Sequence, residues 1–114
     1  MIDTTKYTSL DVATGTATST AGAATINAQT GFITTEALTT AAGATYTMTV
    51  TNKYIKAGSI VLATVGKGTC TAGMPTVCFI TSTAGSAVII IQNIHASNAL
   101  NGTITIGFKV EQVA

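Results

Sequence analysis

The chain has no tryptophan, no arginine, one proline, one histidine and two cysteines, and only 8% of its 114 residues are charged. Each shortage removes a class of function. Lys6, Lys53, Lys56, Lys67 and Lys109 are spread thinly. No clustered cations exist to displace counterions from a phosphate backbone, so nucleic acid is not an expected partner. One imidazole, His95, without a second ligand at metal-site spacing does not make a metal centre, and its expected role is a hydrogen-bonded residue on the rim. The carboxylates are Asp3, Asp11, Glu36 and Glu111. Acid–base catalysis needs two ionisable groups brought together, and the pair Glu36 and Glu111 is expected to be solvated or salt-bridged instead. No Gly-x-Ser-x-Gly elbow is present. Gly66-Lys67-Gly68-Thr69 misses the lysine-before-hydroxyl order of a phosphate loop and runs into a strand-rich segment. The expectation is a protein that is not an enzyme and needs no cofactor.

Long apolar runs are missing too. The longest, Ala87 to Ile91, is far short of the roughly 18 residues that span a bilayer, so no membrane is expected. Met1-Ile2-Asp3-Thr4 has neither a basic start nor an apolar signal core, which gives no expectation of secretion by that route.

What is abundant is threonine, recurring about every four or five residues. Its β-branch suits a pleated sheet while its hydroxyl faces water, so the small number of charges does not forbid solubility. Residues 45–51 alternate Thr with Tyr, Met and Val, and 103–110 alternate in the same way, which is the period of a half-buried strand. Ser59 to Val65 and Ser86 to Ile94 are near-continuous β-branched runs, expected as strands covered on both faces. Weaker strands fit at 24–28, 32–36 and 76–81, and Thr35 to Ala42 is the one stretch that competes as a helical turn. Glycines fall between the runs, where turns need them. Six to eight short strands point to an all-β fold: an antiparallel β-sandwich, jelly-roll-like.

Residues 1–22 differ. After Tyr7 and Leu10 they become small and polar, with too little to bury to offset their own ordering entropy. They are expected to form an extended N-terminal arm, ordered against a neighbouring chain or loose, ahead of a sandwich domain at 23–114. Cys70 and Cys78 flank seven residues that include the only proline. Two readings stay open: a disulfide across the base of a loop, worth roughly 2–3 kcal/mol, or two free thiols packed as small hydrophobes.

The stretch from Ile33 to Asn52, together with Val88-Ile89-Ile90-Ile91-Gln92-Asn93-Ile94-His95-Ala96 and Ala99-Leu100-Asn101-Gly102-Thr103-Ile104, resembles small virion proteins of tailed bacteriophages. The resemblance covers about 80 residues, from Gly31 to Val110. It implies a β-sandwich on the exterior of the virion, as a capsid decoration (cement) protein or as a fibre or knob tip. The absence of heptads or a shaft repeat favours decoration. That reading implies a homo-oligomer, a trimer, bound to the major capsid protein on the outside of the head and stabilising the shell by bridging capsomers. Its attachment residues would be the apolar members of the arm, Ile2, Tyr7, Leu10 and Val12. The alternative, a receptor- or glycan-binding knob, would gather Asn52, Tyr54, Asn98 and Asn101 at one end of the sandwich.

Overall fold

A computed structural model describes residues 14–111. Eight strands follow in order: β1 (Thr14–Thr18), β2 (Ala23–Thr25), β3 (Thr30–Thr34), β4 (Thr45–Thr51), β5 (Ile60–Lys67), β6 (Pro75–Thr83), β7 (Ser86–Asn93) and β8 (Ile104–Glu111). No helix occurs among the described residues, and Thr35 to Ala42 forms no helical turn: Leu38 is buried and makes an isolated bridge with Gly102.

The strands form two four-stranded sheets, ordered β1-β3-β8-β5 and β2-β4-β7-β6. From β1 to β6 successive strands alternate between the sheets; only the β6–β7 hairpin, closed by Ala84 and Gly85, stays in one. This alternation corrects the expectation of purely antiparallel sheets. Parallel neighbours need a crossover, and here the crossover is a strand of the opposite sheet. Thus β1 pairs parallel to β3 and β2 parallel to β4, while β3·β8, β8·β5, β4·β7 and β7·β6 are antiparallel.

One hydrophobic cluster joins the sheets, drawing Ile33, Val61, Ile104, Ile106, Phe108 and Val110 from the first and Ala24, Met48, Val50, Ala87, Ile89 and Ile91 from the second. These are the alternate positions of each strand, so period two does place one face inward. The expectation for β5 is corrected, because its burial alternates and Ile60 and Leu62 are exposed on the outer face. β5 is an edge strand whose outer face stays exposed among the described residues, and a β-branched run cannot report which of its faces is covered.

Residues 14–18, expected within the arm, are strand β1. Thr-Gly-Thr-Ala-Thr buries little, and its order comes from the parallel backbone ladder to β3, which closes with Ser19 N–H donating to Thr34 O at 2.9 Å. Small residues are what this contact requires: a Cβ on Gly31 would stand 2.5 Å from the carbonyl oxygen of Gly15. The turn into β2 uses Ala21 (φ 51°) and Gly22 (φ 80°), and Gly22 presses so close to β4 that a Cβ would lie 2.6 Å from Thr47 O.

Candidate functional site

The outer face of the first sheet carries the most distinctive arrangement. The pairing registers set its residues in rows across β1, β3, β8 and β5. One row is Thr14, Thr30, Lys109, Leu62; the next is Thr16, Phe32, Gly107, Thr64; the third is Thr18, Thr34, Thr105, Gly66. Phe32 is 61% exposed, Leu62 56% and Ile60 50%. Phe32 stands beside the bare backbone of Gly107, where an added Cβ would meet its ring Cε1 at 3.1 Å. Two hollows flank the ring. One, of about 270 Å³, lies over Gly107 between Phe32, Leu62, Thr64 and Lys109 and has an almost wholly apolar wall; the other, about 350 Å³, lies over Gly31 and β1. Among the described residues the charges on this face are Lys109 and Glu111, 2.8 Å apart, an exposed pair of little energetic weight.

The second sheet presents Thr45, Thr47, Thr49 and Thr51 on β4, with Ser86, Val88, Ile90 and Gln92 opposite them on β7. Phe79 pairs with Ile90 and is 62% exposed. Both outer faces are therefore threonine fields around one exposed phenylalanine. Single exposed apolar residues are ordinary, but contiguous apolar groups on a nearly uncharged face mark a contact surface.

Glu36 belongs to a polar cluster that fastens the β1–β2 turn. Its Oε1 accepts from Ser19 Oγ and, at 2.9 Å, from the Tyr46 hydroxyl; its Oε2 accepts from the Gly22 N–H at 2.8 Å. Burial pushes this carboxyl up, but the bonds from Ser19, Tyr46 and Gly22 and a backbone bond of its own outweigh it and hold the group below the ordinary carboxylate range. Burial, and secondarily the neighbouring carboxylate, push the Tyr46 phenol up to about 12, against the opposing effect of Ser19. With every Glu36 oxygen engaged in holding a turn, the arrangement acts as a tie. Glu111 is paired with Lys109 on the outer face, far from any partnership with Glu36.

Cys70 and Cys78 are not bridged to each other in the structure. Cys70 is buried in the β5–β6 loop, donating to Ala72 O at 2.9 Å, whereas Cys78 is exposed at the bulge of β6. The bulge turns Cys78 out of the ladder, so the sulfurs do not meet across the loop. Cys70 lines a cleft of about 360 Å³ between the β5 end and the β6 start, with Lys67, Thr71 and Pro75 around it. Among the described residues no group of three His, Cys, Asp or Glu side chains is placed to hold a metal ion.

The amides of the knob alternative are divided. Asn52 follows the end of β4 and is fully buried, donating to Ala28 O at 2.6 Å and accepting from Tyr54 N–H at 2.9 Å. Tyr54 lies beside it under the Lys53 ammonium, 5.4 Å from the ring centroid. Asn98 and Asn101 sit in the β7–β8 loop, next to residues that precede β4, at the opposite end. Asn101 is occupied in accepting from the N–H groups of Thr71 and Ala72. His95 is a loop residue whose Nδ1 accepts from Ser97 and Asn98 N–H, in keeping with the rim role expected of it. Residue-type reasoning missed Asn93. Fully buried, it donates to Thr40 O and Asn98 O and accepts from Met74 and His95 N–H, joining three loops. The signal available was an amide ending an apolar run just before a loop. Ile2, Tyr7, Leu10 and Val12 lie outside the described residues.

No known protein family, curated protein or solved structure matches the chain.

Proposed function

We propose that the chain is a structural module that coats a larger protein assembly, and that the assembly is the head of a tailed bacteriophage, where it serves as a decoration protein. In this reading the two sheets form a jelly-roll-like sandwich, the segment ahead of β1 is the extended arm, and the partner is the major capsid protein on the outside of the shell. The observation that carries the proposal is the pair of threonine-covered outer faces, nearly free of charge and each bearing an exposed phenylalanine. Such faces can be covered over a broad area without stripping water from ions, which is the main penalty on polar interfaces. The resemblance to small phage virion proteins supplies the choice of assembly.

The test is to mix the purified chain with undecorated heads of the parent phage and measure co-sedimentation and the heat resistance of the heads. Saturable binding and a raised disruption temperature are expected; heads that pellet without the chain overturn the reading. A chain beginning at residue 14 keeps every described strand, so it should stay folded by circular dichroism and lose head binding if the arm makes the attachment. Removing all of residues 1–22 would take away β1 and test folding instead.

A further inference from the structure

We infer that Asn101 is a conditional deamidation site, closed while the β5–β6 loop is docked against it and reactive once that loop lifts. Of the asparagines at 27, 52, 93, 98 and 101, only Asn101 precedes a glycine. Glycine has no Cβ to hinder its own backbone nitrogen and turns more freely than any other residue, so that nitrogen is the one best able to reach the preceding side chain. In the reaction the Gly102 nitrogen attacks Asn101 Cγ, an N–Cγ bond forms and the Cγ–Nδ2 bond breaks. The Gly102 N–H proton leaves with the amide nitrogen as ammonia. Solvent water then opens the cyclic imide, at Cγ to give aspartate or at the main-chain carbonyl to give isoaspartate.

The fold opposes the first step at both reacting groups. Asn101 Oδ1 accepts from the N–H groups of Thr71 at 2.7 Å and Ala72 at 3.0 Å, and Nδ2 donates to Thr71 Oγ1 at 2.8 Å. The amide is held toward the β5–β6 loop, and swinging its carbon to the Gly102 nitrogen breaks these bonds. Gly102 is no freer. It is buried, its carbonyl accepts from Leu38 N–H at 2.8 Å, and a Cβ there would stand 2.6 Å from Thr69 Oγ1 and 2.9 Å from Cys70 N. On either side, Leu100 N–H donates to Thr40 O and Thr103 N–H to Thr69 Oγ1, both at 2.9 Å. The same contacts explain why the reactive pair is present: the close approach demands glycine at 102, and the loop demands at 101 an amide that both donates and accepts. The restraint lasts only while residues 69–72 stay docked, and loops open locally at lower free energy than the sheets they join. Modification is then one-way. Isoaspartate adds a backbone atom ahead of a Gly102 already wedged against Thr69 and Cys70, so the loop cannot close as before.

The site belongs to the chain itself and does not depend on a phage head. The experiment incubates the full chain in buffer and in guanidinium chloride at the same mildly alkaline pH, and follows aspartate and isoaspartate at residue 101 by peptide mapping and mass spectrometry. Reaction in the folded chain should be slower by about tenfold or more, since it waits on loop opening. Gly73→Ala leaves Asn101 and Gly102 unchanged but strains the loop, where φ is 85° and a Cβ would lie 2.6 Å from Leu100 Cδ2. It should raise the folded-state rate about threefold or more, with amide exchange at residues 69–74 accelerating in step. Thr71→Val removes only the acceptor of the Nδ2 bond and should raise the rate about twofold. Comparing the folded and unfolded parent needs no variant, so the inference can fail even where a substitution prevents folding. Equal rates in the two solvents overturn it, and so does either variant if it is folded by circular dichroism and reacts at the parental rate.

Discussion

Each strand of the first sheet contains one glycine, at Gly15, Gly31, Gly107 or Gly66, and the strands of the second sheet contain none. Glycine weakens a strand, so its placement marks where something else must come close. On the inner side, Gly31 leaves room for the Gly15 carbonyl and the Ile26 side chain, which lets a strand as plain as β1 lie against β3. On the outer side, Gly107 leaves the hollow beside Phe32. The second sheet fills the corresponding outer positions with Val88 and Ile90, and its exposed Phe79 sits beside a branched side chain instead of a gap. One sheet is shaped by vacancies and the other by filled positions, although both carry similar threonine faces.

That contrast can be tested by substitution. Ile89 belongs to the filled sheet and is buried to 1% exposure; Ile89→Ala should lower unfolding free energy by roughly 4 kcal/mol in urea titration, the usual result of a cavity. Gly31→Val should cost roughly 2–3 kcal/mol by overpacking. Its damage should be local, with amide exchange accelerating first in residues 14–18, because the atom it strikes is backbone of β1. If the loss spreads evenly over both sheets, the glycine is not there for β1.

The Glu36 tie should matter less. Glu36→Gln should cost roughly 1 kcal/mol, since hydrogen bonds to a charged acceptor are replaced by neutral ones. Because the folded carboxyl sits below its ordinary value of 4.5, its contribution is present above that pH and is lost as pH falls through the folded value. Acid titration of the parent chain should thus show a fall in stability below about pH 4.5 that Glu36→Gln reduces. The Tyr46 phenol, raised from 10.0 to about 12, acts in the opposite direction: stability should fall as pH rises above 10. The smallest effect on stability should come from the exposed rings. Phe32→Ser and Phe79→Ser should each change thermal unfolding by under about 0.5 kcal/mol, since both rings are exposed.

Much of this was legible in the residues. Thr45 to Thr51 is a strand with the bounds its alternation predicts, and the expected strand at 103–110 appears as Ile104–Glu111. Period two reports which side chains share a face, so the core members Met48, Val50, Ile104, Ile106 and Phe108 could be named in advance. The outer site was harder to read. Phe32 was visible only as one residue of a weak strand, and nothing in its neighbourhood of the chain announces Gly107, which is 75 positions away and becomes its partner through the β3·β8 register. Cys78 could not be judged for bridging because the bulge that turns it outward depends on the pairing of β6 with β7.

The amino-acid sequence by itself determined the β class, the inward residues of the regular strands and the low charge of the surface, because those follow from side-chain chemistry and a local period. Tertiary structure alone decided the parallel edge pairs, the inclusion of residues 14–18 in a sheet, the outward turn of Cys78 at its bulge and the placing of Phe32 beside Gly107. Each of these depends on which distant strands become neighbours, and backbone hydrogen bonds, common to every residue, leave no mark of that choice in side-chain pattern.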